Sequence, residues 1–142
     1  AGHGGSRRMD AALRCHETSS SLDNTGPFAD PSFWREEAER RHPGNTHLRE
    51  LCETPWFAAM LQAPGSGRLW RGKRRPLLKE LTESAAALRH VRVAAAAAGC
   101  GADGQGAVVF DVCSGKGVAS LVLSYALPAA RVVMVDSNVG MD

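Results

Sequence analysis

The stretch "VVFDVCSGKGVAS", residues 108–120, is the strongest indication of the fold class of this 142-residue chain. It begins with an apolar run that contains Asp111, continues through a small-residue loop with Gly115 and Gly117, and ends in a helical pattern. This succession is typical of a parallel strand that is followed by a ligand-binding loop and a helix N-terminus. A second apolar run, "RVVMVD", residues 131–136, follows the helical stretch. The order strand, helix, strand predicts an α/β fold with parallel strands covered on both faces.

The rest of the chain divides into three parts by composition. Residues 1–30 mix Gly, Ser, Asn and charged residues without periodicity, which predicts a flexible leader. Residues 31–75 favour a small helical region that ends in a basic linker. Residues 76–142 contain the motif above, so we expect the ligand-binding domain to begin there.

Helix signals are clear at three places before the first strand. Asp30 precedes Pro31, a pairing typical of an N-cap and a first helical position. Thr54-Pro55 ends one short helix and begins another. From Pro76 to Gly99, apolar residues recur at helical spacing, which predicts a long helix with one buried face.

Composition and cysteine spacing exclude several classes of protein. The formal net charge is only +2, which does not indicate any particular class of binding partner. The four cysteines, Cys15, Cys52, Cys100 and Cys113, have no zinc-binding spacing, so we expect free thiols, no structural metal and a cytoplasmic location. No window is apolar enough to span a membrane. The chain begins with Ala and stops shortly after the second strand, so we expect it to be the N-terminal part of a longer polypeptide.

Three ligands bind glycine loops of this kind, and the residues discriminate among them. A P-loop is excluded because Lys116 is followed by Gly117 rather than Ser or Thr. A dinucleotide fingerprint is only half present, since Ser120 occupies the position of its third glycine. Asp111 would repel a pyrophosphate, whereas its charge suits a ligand that carries ammonium and sulfonium groups. These features favour S-adenosylmethionine (SAM).

The segment "FDVCSGKG", with "VVMVDSN" downstream, resembles motif I and the following acidic strand end of the class I SAM-dependent methyltransferases. The resemblance covers residues 107–138 and is greatest to the subgroup whose loop ends in SGKG. It implies that a helical N-terminal region is followed by the first strand, helix and strand of a Rossmann-like methyltransferase sheet. Cys113 departs from the family pattern because it replaces the first glycine of the loop.

The resemblance implies a role for each residue of the motif. Asp111 would hold the methionine amino group, and Asp136 would bind the ribose hydroxyls. The backbone of the loop would contact the methionine and ribose parts of SAM through Cys113, Ser114, Gly115 and Gly117. The position of Asp136, 19 residues after Gly117, is also close to the interval at which an acid binds a nucleoside ribose. The residues that select the methyl acceptor lie further along the chain in this family.

Two other functions are compatible with the same residues. A nicotinamide-dependent oxidoreductase would use a related glycine loop, and a non-enzymatic adaptor could retain the loop without its activity. The glycines could also simply close a tight turn between a strand and a helix.

A basic segment precedes the long helix. It surrounds Trp70 with five cationic residues, a combination that can contact phosphates and stack on a base. RNA is therefore one candidate partner, although a solvated linker is the commoner use of such a run. The cationic residues are Arg68, Arg71, Lys73, Arg74 and Arg75.

Overall fold

A computed structural model describes residues 26–64 and 74–137, with side chains from Pro76 onward in the second range. The predicted leader up to residue 25 and most of the basic segment, residues 68–73, lie outside the described residues. The described chain begins with a 3₁₀ helix, Gly26–Ala29. It continues with α1 (Pro31–Arg41), α2 (Thr46–Cys52), α3 (Pro55–Leu61), α4 (Arg74–Ala97), β1 (Val108–Val112), α5 (Val118–Ala126) and β2 (Arg131–Val135).

Helices α1 and α2 begin at side chains that accept hydrogen bonds from the first backbone N–H groups of the helix. The Asp30 carboxylate accepts a hydrogen bond from Ser32 N–H at 2.8 Å, with Pro31 in the first turn, as the sequence predicts. Asn45 Oδ1 accepts from the N–H groups of His47, at 3.1 Å, and Leu48, at 3.4 Å. The predicted break at Thr54 is also confirmed, because α2 ends at Cys52 and α3 begins at Pro55.

One buried cluster joins the short helices to the long helix and to α5. Trp34, Phe57 and Leu48 are among its fully buried members. Trp34 also donates a hydrogen bond from Nε1 to Phe28 O at 2.8 Å, so its polar atom is satisfied. The cluster comprises Trp34, Ala38, Leu48, Leu51, Phe57, Met60, Leu61, Leu77, Leu78, Leu81, Ala85, Leu88, Val118, Val122, Leu123, Ala126 and Leu127.

Helix α4 runs close to the predicted bounds. It begins at Arg74, two residues before Pro76, because proline is tolerated within the first turn of a helix. Its buried face is formed by Leu77, Leu81 and Leu88 with their neighbours, as the apolar spacing predicts. It ends at Ala97, just before Gly99, which has a φ of 76°. That left-handed conformation is typical of the residue after a helix C-cap.

Strands β1 and β2 form a two-stranded parallel sheet, and α5 connects them. The register pairs Val108 with Arg131 and Val112 with Val135. The mixed α/β class predicted from the sequence is therefore confirmed. Val109 and Val132 pack against the core on one face of the sheet.

The expectation that both faces of the sheet are covered is wrong for the described residues. Alternate residues of a strand point to opposite faces, so Val108, Phe110 and Val112 lie on the face away from Val109. Their exposed fractions are 55%, 64% and 66%. The apolar sequence of β1 reflects two faces suited to burial, but the helices that the structure describes cover only one of them.

Candidate functional site

The loop between β1 and α5, residues 113–117, contains three residues in the left-handed backbone region. The φ angles are 62° at Cys113, 53° at Gly115 and 77° at Gly117. Cys113 is the one non-glycine residue with a positive φ in the described part of the chain. An L-residue pays about 1–2 kcal/mol for this conformation, whereas glycine adopts it freely. The backbone at Cys113 thus has the shape that a glycine would prefer.

Backbone hydrogen bonds attach this loop to the end of β2. The N–H of Cys113 donates to Val135 O at 2.7 Å, and the N–H of Ser114 approaches the same oxygen at 3.4 Å. Gly117 N–H donates to Ser114 O at 2.8 Å and closes the turn before α5. The loop therefore has a fixed position relative to the carboxyl ends of both strands.

The two glycines of the loop serve different purposes. A Cβ atom at Gly117 would lie 2.7 Å from Met134 Cε, so a larger residue would displace the Met134 side chain. A Cβ atom at Gly115 would meet nothing closer than Cys113 O, at 4.0 Å. Gly117 thus leaves space for the Met134 side chain, while Gly115 is exposed and leaves room for a ligand near the backbone.

Asp136 immediately follows β2 and contacts the loop. Its Oδ2 atom accepts a hydrogen bond from Gly115 N–H at 2.8 Å. The residues are 21 positions apart in the sequence, and the parallel pairing of β1 and β2 brings them together. The site thus has a carboxylate directly beside the glycine loop.

Asp111 lies one residue before the end of β1, with its side chain on the α5 side. Its Oδ2 atom accepts a hydrogen bond from Ser120 Oγ at 2.6 Å. Ser120 is only 6% exposed, whereas Asp111 is half-buried. The sequence pattern does not predict this contact. It places Ser120 only at the position of the third glycine of the dinucleotide fingerprint. The available signal was a hydroxyl residue in the first turn of the helix that follows the acidic strand end.

Ser114 adds a polar atom without a hydrogen-bond partner. Its Oγ atom is buried, and no donor or acceptor within the described residues reaches it. A buried hydroxyl without a partner costs about 1–3 kcal/mol, so such atoms often mark a place for a ligand or water. This atom lies in the same loop as Gly115.

The neighbouring residues define the surroundings of the loop. Lys116 and Cys113 are exposed, and a cavity of about 360 Å³ opens beside the loop between α5 and β2. Leu121, Val132 and Met134 supply its apolar wall. The cavity contacts the loop at Lys116 and Gly117, whereas Asp111, Gly115 and Asp136 do not line it.

The remaining predicted residues lie elsewhere or outside the described part. Arg74 and Arg75 begin α4, but their side chains, like Arg68, Arg71 and Lys73 as a whole, are outside the described residues. Cys52, Cys100 and Cys113 are free thiols. Burial raises the pKa of Cys52 to about 12, so this thiol stays protonated at neutral pH.

No group of three or more His, Cys, Asp or Glu side chains within residues 26–64 and 74–137 could hold a metal ion. None of the helices in these ranges has the length and apolar character to cross a membrane.

Comparison with known proteins found no matching family model, no matching curated protein and no matching solved structure.

Proposed function

We propose that this chain carries the cofactor-binding beginning of a class I SAM-dependent methyltransferase with a Rossmann-like sheet. The observation that carries the proposal is the hydrogen bond from Gly115 N–H to Asp136. It joins an acidic strand end to a glycine loop on the adjacent parallel strand, where α/β proteins bind nucleoside ligands.

The charges beside the loop favour SAM over other nucleoside ligands. SAM carries a sulfonium and an ammonium group, and Asp111 and Asp136 place two carboxylates at the same edge of the sheet. These carboxylates would attract the cationic groups of SAM, whereas they would repel a pyrophosphate. The left-handed φ of Cys113 supports the resemblance, because this is the position of the first glycine in the family motif.

The residues present fit the cofactor in three respects. Asp111 would hold the methionine amino group, and Asp136 would accept from the ribose hydroxyls, since a carboxylate has room for about four hydrogen bonds. The exposed Gly115 lets a ligand approach the backbone. The unpartnered Ser114 hydroxyl would gain a partner. When bound, SAM supplies an electrophilic methyl group, and the residues of this chain orient it for transfer.

A nicotinamide-dependent oxidoreductase is the main rival, because an acid at the position of Asp136 also binds the ribose of NAD. Asp111 weighs against it, and Ser120 occupies the place of the third fingerprint glycine. The methyl acceptor is a separate matter. RNA is the acceptor we propose to test first, on the basis of the basic segment around Trp70.

Transfer of a labelled methyl group tests the proposed activity. The complete natural protein would be incubated with methyl-labelled SAM and with RNA or protein from a cell extract. We expect label in one of these pools, and strong loss of label with Asp136→Ala. Asp103→Ala is the matched control, because Asp103 is an exposed residue in the turn before β1. Absence of transfer to both pools, or equal transfer by Asp136→Ala, would contradict the proposed activity.

A further inference from the structure

We infer that Ser120 is a positioning residue, whose hydroxyl holds the Asp111 carboxylate in the orientation that receives the amino group of the cofactor. The inference rests on the proposed function and deepens it. It assigns the selectivity for an amino acid end of the ligand to a side chain in α5 that does not itself need to touch the ligand.

The direction of the hydrogen bond between the two residues follows from their chemistry. An ionised carboxylate can only accept, so the single proton of the Ser120 hydroxyl is donated to Asp111. The Oγ to Oδ2 distance of 2.6 Å is in the range of hydrogen bonds between a hydroxyl and a charged oxygen. Such charge-assisted bonds are about twice as strong as neutral ones.

Burial makes the donor rigid. Ser120 is 6% exposed and lies in the first turn of α5, next to the core residues Val118 and Val122. A serine in a helix often bonds to its own backbone instead, as Ser124 does with Leu121 O at 2.8 Å. Ser120 bonds across to β1, so α5 and the strand end share one fixed polar contact.

Fixing one oxygen of Asp111 restricts rotation of the whole carboxylate. The second oxygen is then presented in one orientation, which reduces the entropy lost when an ammonium group binds. In the dinucleotide fingerprint, a glycine at this position allows close packing of helix and strand. Ser120 instead places a hydroxyl at this position, and its hydrogen bond supports a carboxylate that suits a cation rather than a pyrophosphate.

Two related ligands can separate positioning from a general structural effect. S-Adenosylhomocysteine carries the amino acid end, and 5′-methylthioadenosine has the same nucleoside and thioether without it. We expect Ser120→Ala in the complete natural protein to weaken binding of S-adenosylhomocysteine about tenfold. Binding of 5′-methylthioadenosine should change less than about twofold, because Asp111 does not contact it.

Matched variants complete the experiment. Ser120→Thr keeps the hydroxyl and should restore most of the affinity for S-adenosylhomocysteine. Ser124→Ala removes a hydroxyl one turn further along α5 and should leave both affinities unchanged. Asp111→Asn should weaken S-adenosylhomocysteine binding, and Ser120→Ala should add little further loss in that background, because residues that act through one contact are not additive.

The outcomes distinguish the inference from the function on which it rests. Equal weakening of both ligands by Ser120→Ala, or no weakening of either, would overturn the positioning role while leaving SAM binding intact. Failure of the wild-type protein to bind either ligand would overturn the proposed function, and the positioning role with it.

Discussion

The Asp136 carboxylate accepts a hydrogen bond from the Gly115 N–H group at 2.8 Å, and this contact joins the end of β2 to the middle of the glycine loop. A second contact, from Ser120 Oγ to Asp111 at 2.6 Å, joins the end of β1 to α5. The two acidic strand ends thus belong to one arrangement of loop, sheet and helix. We propose that this arrangement binds SAM.

Replacing Asp136 by Ala should weaken binding of both SAM and S-adenosylhomocysteine. The loss of a charged acceptor for two hydroxyls costs about 1.5–3 kcal/mol, which corresponds to a ten- to hundredfold lower affinity. Calorimetric titration of the complete natural protein measures this directly, with Asp103→Ala as the control at the opposite end of β1. Unchanged affinity would remove Asp136 from the site.

Replacing Cys113 by Gly should stabilise the fold modestly. The φ of 62° costs a non-glycine residue about 1–2 kcal/mol, while glycine costs about 0.5–1 kcal/mol through greater freedom in the unfolded chain. The expected net gain is about 0.5–1 kcal/mol in the free energy of unfolding, measured by urea denaturation. Cys113→Val, which adds a β-branch at a position with positive φ, should lose stability. A gain with Val and a loss with Gly would show that the loop has another conformation in solution.

The stability of the N-terminal helices should fall in acid because of Glu37. Hydrogen bonds from Arg40, at 2.7 Å and 2.8 Å, and from Arg41, at 2.8 Å, lower the pKa of this nearly buried carboxyl to about 2. A carboxyl with a lowered pKa in the folded state stabilises the protein above its ordinary pKa of 4.5. This contribution is lost as the pH falls from about 4.5 toward about 2.

Glu37→Gln tests the acid dependence. We expect this variant to cost about 1–2 kcal/mol at pH 7 and to differ less from the wild type at pH 3, where Glu37 is almost fully protonated in the unfolded chain. Thermal unfolding at the two pH values measures both differences. Glu39→Gln, at an exposed position of the same helix, is the control. A difference that stays the same at pH 3 and pH 7 would exclude Glu37 as the source.

The uncovered face of β1 should make the isolated 142 residues bind hydrophobic dyes and self-associate. Phe110 and Val112 are 64% and 66% exposed on this face, and exposed apolar strands promote association between chains. Phe110→Ser should reduce both effects. Val93→Ser removes an equally exposed valine, also 66%, from α4 and should have little effect, because that residue lies outside the sheet. Equal reduction by both variants, measured by dye fluorescence and sedimentation, would contradict this account.

The sequence predicts the ends of the helices well, because the residues that begin or end a helix act on the backbone nearby. Asp30 and Pro31 begin α1, Thr54-Pro55 separates α2 from α3, and Gly99 follows the end of α4. These residues act on backbone hydrogen bonds or φ angles within a few positions. Apolar spacing likewise predicts the buried face of α4.

Local sequence patterns do not predict the features that depend on how elements pack together. The bond between Ser120 and Asp111 requires knowing how α5 packs against β1. The positive φ of Cys113 has no signal in the residue itself, because cysteine does not favour that conformation. The exposure of Phe110 also depends on which elements cover the sheet. The apolar sequence of β1 predicts burial of both faces and does not show which of them is left uncovered.

The proposed SAM binding is best tested by calorimetric titration of the complete natural protein with SAM and, separately, with NAD. We expect saturable binding of SAM and no measurable binding of NAD, because the carboxylates of Asp111 and Asp136 attract the cationic ligand and Asp111 repels a pyrophosphate. Asp111→Asn should reduce the preference for SAM. Binding of NAD without binding of SAM would contradict the account.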